Sequence, residues 1–244
     1  MSENLLEVDH LTKRFGGVTA VNECSFTVQK GTITALIGPN GSGKTTVFNM
    51  VTGYLKADSG EIRFRGEAIT RPRPADLYRR GLSRTFQQAR IFPELTVEEN
   101  LVVAAGYNSR QLFGRRVSDS DRDRATKMLG EFRLETLAQL PAADLSYGQR
   151  KLLEFAAVLM SDPMLVLLDE PTAGVNPVMI DAMEQHIRER HAAGVTFLIV
   201  EHDMQLVMRL CDPVIVLDQG APIAFGSPDQ IQKDPRVLEA YLGS

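Results

Sequence analysis

The chain has 244 residues, 43% of them hydrophobic, enough to bury one large core, and its formal net charge of −4 supplies no broad positive field for holding nucleic acid. The longest uninterrupted apolar run, FAAVLM at residues 155–160, is far short of the ~20 residues a membrane span needs. The opening MSENLLEVDH lacks the basic and apolar regions of a signal peptide, so a cytosolic location is expected, and Cys24 and Cys211, far apart and without a C-x-x-C, are expected to pack as apolar side chains.

Taken in order, residues 5–8, 24–28 and 32–37 read as strands, and the last leads into GPNGSGKTT, which fits G-x-x-x-x-G-K-[ST] without a mismatch. Its members are Gly38, Pro39, Asn40, Gly41, Ser42, Gly43, Lys44, Thr45 and Thr46. Small residues let successive backbone N–H groups converge on phosphate oxygens, Lys44 adds a fixed cation, and Thr45 offers a hydroxyl to an accompanying Mg2+. A helix beginning at Gly43 directs its positive end at the same anion. Upstream, TKRFGG sets Phe15 before two glycines, and the ring reads either as core or as an exposed face that stacks on adenine, worth about 1–3 kcal/mol.

SGEIRF and GEAI read as a hairpin turning at Arg65 and Gly66, and residues 75–80 as a short helix. Arg71, Arg73, Arg79, Arg80, Arg84 and Arg90 make this the most basic part of the chain, and a solvated face is expected for them. After Phe86 helix signals replace strand signals, as far as Met160. Thr96 and Glu99 form a capping box, residues 106–123 read as a polar loop, and Ala125, Met128, Leu129 and Phe132 recur at helical spacing.

LSYGQ holds a second capping box, Ser146 with Gln149. The near-continuous apolar strand PMLVLLDE then delivers Asp169 and Glu170 at its C-terminal end, the edge at which ligands bind in parallel α/β sheets. One acid suits a magnesium ion and the other suits polarising a water. Asn176 and Pro177 read as N-cap and first position of a helix striped by Ile180, Met183 and Ile187. The strand at 195–200 ends in EHD, where His202 is either structural or a contact for a terminal phosphate. A closing hairpin around Gln219 and Gly220 and a short helix opened by Ser227, Pro228 and Gln230 complete the chain.

The phosphate loop, LSYGQ, LVLLDEPT and EHD in this order resemble the ATP-binding subunits of ABC transporters over essentially the whole length. The resemblance implies an α/β fold, a P-loop NTPase core with a mainly parallel sheet, an N-terminal antiparallel β subdomain and an inserted α-helical subdomain. Residues 1–86 and 161–244 would form the nucleotide-binding core and 87–160 the insertion carrying the signature. It implies ATP and Mg2+ as cofactors, Phe15 as the adenine-stacking ring, Gln87 as a glutamine reaching magnesium, Glu170 as general base and His202 as switch histidine. Ser146, Gly148 and Gln149 would contact the γ-phosphate held by a second ATPase subunit. SRTFQQARIFPELTVEENL, AGVNP, VEHDM and AYLG look like the branched-chain amino acid (Liv-type) uptake group, closest to the longer of its two ATPases. That implies a paralogous ATPase partner, two permease subunits, an indirect link to a solute-binding protein, no nucleic acid, and a peripheral position on the inner face of the cell membrane. Tyr147 replaces the first glycine of the usual signature and Asn176 an aspartate, substitutions that look ordinary for the Liv-type group. The alternatives are an ABC ATPase for another solute (urea, an amide, a lipid), a non-transport ABC ATPase acting on nucleic acid or the ribosome, and an ATP-binding scaffold.

Overall fold

The computed structural model describes residues 3–70, 73–86, 90–105 and 119–242. Two long strands, β1 (Asn4–Phe15) and β2 (Val18–Gln29), open the chain as a hairpin turned at Gly16 and Gly17, and β3 (Ile33–Ile37) leads through the phosphate loop into α1 (Lys44–Val51). The hairpin β4 (Ser59–Phe64) and β5 (Glu67–Ala68) follows, then α2 (Pro74–Arg79) and β6 (Leu82–Arg84). Helices α3 (Val97–Ala104), α4 (Asp119–Glu131) and α5 (Tyr147–Leu159) come next. Then β7 (Leu165–Asp169), α6 (Pro177–Ala192), β8 (Thr196–Val200) and α7 (Met204–Leu210) alternate. The hairpin β9 (Val214–Asp218) and β10 (Ala221–Gly226) and helices α8 (Pro228–Lys233) and α9 (Pro235–Leu242) end it.

The strands form two sheets. One is antiparallel, in the order β2-β1-β4-β5; the other runs β10-β9-β3-β8-β7-β6, parallel except for β10. Every residue of β3, β7 and β8 is buried, as a parallel sheet covered on both faces requires, which is why these strands read as unbroken apolar runs. Alternation along them splits the core. Ala35, Ile37, Val166, Leu168, Phe197 and Ile199 pack toward the helices α3 to α7, whereas Leu36, Leu165, Leu167, Leu198 and Val200 pack toward α1 and the antiparallel sheet. Fully buried aliphatic and aromatic side chains of this kind contribute about 1.5–3 kcal/mol each.

Several expectations need correction. β1 and β2 run to 12 residues each, well beyond the short runs the alternation marked. Register shifts between Val8 and Leu11 and again by Arg14 flip the inward face part-way along, so the apolar alternation breaks while the pairing continues. The expected polar loop at 106–123 gives way to helix at Asp119, where Asp119 and Asp121 occupy the first turn and favour it electrostatically; residues 106–118 lie outside the described residues. Arg84 does not face solvent: it closes β6 and is buried beneath the phosphate-loop helix. Cys24 and Cys211 are buried as expected, and burial pushes each thiol up to about 12.

Candidate functional site

The sheet register brings the motifs together. Leu36 pairs with Val200 and Val200 with Asp169, so β3, β8 and β7 end at one level and release the phosphate loop, Glu201 with His202, and Glu170 side by side. The loop itself is shaped by contact as well as by its ligand chemistry. A Cβ on Gly38 (φ +149°) would lie 2.0 Å from the Leu217 carbonyl oxygen, and one on Gly43 (φ +99°) 2.6 Å from that of Ala20, whereas at Gly41 (φ +80°) there is open space. Gly43 sits at the N-cap of α1 and no side chain caps that helix. Its first N–H groups and the positive end of its dipole are therefore suited to an anion. Lys44 is buried and donates to the carbonyls of Gly38 and Pro39 at 2.8 and 2.9 Å, with Ser42 Oγ at 3.4 Å. Burial lowers its pKa, and the charges of Glu170 and Asp169 oppose that shift.

Opposite the loop, Glu170 follows the end of β7 with a left-handed backbone (φ +47°), a conformation costing a non-glycine residue about 1–3 kcal/mol. Its Oε1 lies 2.9 Å from His202 Nε2. The EHD segment has three distinct jobs. Glu201, buried, accepts from the amide and hydroxyl of Thr172 at 3.0 and 2.6 Å and from the His202 amide at 3.0 Å, tying PTAGV to the end of β8. His202 reaches Glu170, and Asp203 caps α7 by accepting from Gln205 and Leu206.

Asp169 is buried and paired through Oδ2 with Arg84 Nη2 at 2.6 Å. The same guanidinium donates from Nη1 to Asn49 on α1 and to Thr52 at its C-cap, and lies over the rings of Phe48, Tyr54 and Phe86. Neither Arg84 nor Glu201 was singled out by the sequence, because an arginine in a basic stretch and an acid beside a histidine look like surface residues. Tyr241 of α9 was missed as well: the Gly38 amide hydrogen-bonds its hydroxyl, which offsets in part the upward push of burial on its pKa.

The start of α5 carries the capping box in both directions, Ser146 Oγ accepting from the Gln149 amide at 3.3 Å and Gln149 Oε1 from the Ser146 amide at 2.9 Å. Asn176 caps α6 at Met179 with Pro177 next to it, as expected. The two helix starts touch. A Cβ on Gly148 would come within 3.3 Å of Met179, and one on Gly174 (φ +72°) within 3.3 Å of the Tyr147 ring. Tyr147 thus packs on the AGVNP segment of its own chain. Among the described residues no hydrogen bond joins Ser146, Gly148 or Gln149 to the phosphate loop, so the structure brings together the loop, Asp169, Glu170 and His202 but not the α5 start. Phe15 is half-exposed at the tip of the hairpin whose second strand abuts Gly43, with Lys13 Nζ 5.6 Å from its ring centroid. Gln87 lies outside the described residues.

Among the described residues no cluster of three or more His, Cys, Asp or Glu could cage a metal. Thr45, exposed on the first turn of α1, and Asp169 are hard oxygen donors of the kind Mg2+ takes when waters and substrate phosphates fill the rest of its shell, so the residues fit that ion.

The family model described as ABC transporter matches residues 21–173, and the one described as branched-chain amino acid ATP-binding cassette transporter matches residues 221–244. The high-affinity branched-chain amino acid transport ATP-binding protein BraF of Pseudomonas aeruginosa is 43% identical over 253 residues, spanning 100% of this chain and 99% of its own. LivG of Escherichia coli K12, of the same description, is 41% identical with the same coverage. A crystal structure of the ADP conformation of an ATP-binding cassette of an ABC transporter matches with a TM-score of 0.88 at 36% identity over 99% of both chains.

Proposed function

The chain belongs to the ABC transporter ATP-binding family, an ATPase, and from that membership we propose that it hydrolyses MgATP to drive import of branched-chain or related amino acids through partner permeases. The observation that carries the chemistry is the Glu170–His202 pair, set at one sheet edge with the uncapped start of α1. Glu170 accepts a proton from the attacking water, and His202 holds that carboxylate and reaches toward the γ-phosphate. Lys44 and the amides of residues 38–46 bind the phosphates, with Phe15 under the adenine. Thr45, Asp169 and Gln87 would hold Mg2+, which would neutralise charge on the phosphates.

On the same reading Ser146, Gly148 and Gln149 complete the site of a second, paralogous ATPase subunit. The chain divides into a core, 1–86 and 161–244, and a helical insertion, 87–160. Among the described residues no helix is long and apolar enough to cross a membrane, so attachment to the inner face of the cell membrane comes through the permeases. The amino-acid assignment is supported by the match of residues 221–244 and by the full-length relatives. It is tested by purifying the chain with its membrane partners and asking which solute raises ATP hydrolysis. Stimulation by leucine, isoleucine or valine is expected, and stimulation only by urea, an amide or a lipid would overturn the assignment and leave the ATPase intact.

A further inference from the structure

Lys151 and Glu154 have no place in the reaction just described, yet both are buried, 2% and 4% exposed, and sit three residues apart on α5. That spacing puts them on one face of the helix. Both face the main chain that follows β6. Glu154 Oε1 accepts the Phe86 amide at 3.0 Å and the Arg90 amide at 3.1 Å, and Lys151 Nζ donates to the Phe86 carbonyl at 3.1 Å. An acid and an amine of α5 thereby hold the backbone on both sides of residues 87–89. The Arg90 guanidinium, 3.7 Å from the centroid of the Phe86 ring, draws the two flanks together.

Stability alone does not account for this pair. Glu154 Oε2 is buried and has no hydrogen-bond partner among the described residues. Burial pushes the Glu154 pKa up and the Lys151 pKa down, against the opposite charge of each. Apolar residues of like volume at such positions are often neutral or stabilising. What apolar residues cannot do is grip main chain, whatever side chains occupy 87–89.

We propose that Lys151 and Glu154 are positioning residues that lock the signature helix to the main chain flanking Gln87, so that Gln87 moves with Ser146, Gly148 and Gln149. The proposal rests on the roles given to Gln87 and to the α5 start above. From Ser146 to Glu154 the helix rises about 12 Å, and its capping box and apolar face keep it a stiff rod. Nucleotide captured at one end is therefore felt at the other.

The test uses the full chain. Glu154→Ala should lower kcat of the Mg-dependent ATPase at least ~10-fold while ATP affinity, read with a fluorescent ATP analogue, stays within about twofold. Glu154→Gln, which keeps an acceptor oxygen, should recover most of that loss. Amide exchange at Phe86 and Arg90 should quicken by at least ~10-fold in Glu154→Ala and less in Glu154→Gln. A folded Glu154→Ala protein with wild-type kcat, or with unchanged exchange at both amides, overturns the proposal. Should Glu154→Ala not fold, Lys151→Met, which removes the bond to the Phe86 carbonyl, must lower kcat at least ~3-fold at unchanged ATP affinity, and wild-type kcat there overturns it equally. Gln87→Ala separates the two levels of argument. If its kcat is that of wild type, the role given to Gln87 fails; if its kcat falls while that of Glu154→Ala does not, only the clamp fails.

Discussion

Arg84 and Asp169 form a 2.6 Å ion pair whose side chains are 6% and 5% exposed, and through it the acid-bearing strand is fastened to the helix that starts at the phosphate loop. Arg84→Met would leave the Asp169 charge buried and unpaired, a loss of about 3–5 kcal/mol that a urea unfolding curve would register. Arg84→Lys keeps the charge but loses the planar fork that reaches Asp169, Asn49 and Thr52 at once. It should raise the Mg2+ concentration needed for half-maximal nucleotide binding more than it lowers stability. Unaltered Mg2+ dependence would reduce the pair to a structural brace.

Replacing the proposed base isolates chemistry from binding. Glu170→Gln should slow hydrolysis by ~10² to 10⁴-fold with ATP still bound, since the amide keeps a polar contact to His202 but takes up no proton. Single-turnover hydrolysis measures this directly. Turnover at the wild-type rate would remove Glu170 from the role.

The loop glycines should not respond alike. Gly43→Ala drives a Cβ to 2.6 Å from the Ala20 carbonyl, against backbone that cannot swing away, whereas Gly41→Ala meets only the left-handed penalty of about 1–2 kcal/mol. Thermal unfolding of the two variants should therefore show Gly43→Ala clearly the less stable. Equal losses would mean that strain, and not contact with β2, dictates glycine at both positions.

His186 of α6 stacks on Phe132 with centroids 4.1 Å apart, and burial lowers its pKa from 6.5 against the opposing pull of Glu189. Arg190 and Arg133 also disfavour its charged form. A group with a depressed folded pKa contributes stability that is complete above its unfolded value and lost as pH falls through the folded one. The melting temperature should thus decline below about pH 6.5, and His186→Phe should flatten that part of the profile. Identical slopes in the two proteins would place the acid lability elsewhere.

The parallel core was legible because burial on both faces leaves an unmistakable apolar run in β3, β7 and β8, each followed by residues proposed for the chemistry. Capping boxes at Thr96 and Ser146 were legible because a cap is local, made by side chains three positions apart. What escaped was whatever depends on distant partners. Arg84 looks like its neighbours, the exposed Arg79 and the half-buried Arg80, until the Asp169 carboxylate, 85 residues away, is placed beside it. Lys151 and Glu154 read as the polar side of a helix until their targets prove to be main chain beyond β6. The length of β1 and β2 was hidden by bulges, which break alternation without breaking the pairing. The role of the α5 start in a second subunit's site was suggested only by resemblance, since a single chain carries no trace of contacts made across a subunit boundary.

The contrast among helix starts has a thermodynamic consequence. Where α3 and α5 finish their own first turns with side chains, α1 has no side-chain cap, and on the proposed reading phosphate oxygens take up that task, so that ATP acts as a detachable piece of the fold. At a nucleotide concentration 100-fold above its dissociation constant the gain is about 2.7 kcal/mol. The protein is then sturdier in a well-energised cell than in a starved one, and its lifetime against proteolysis should follow the adenylate pool.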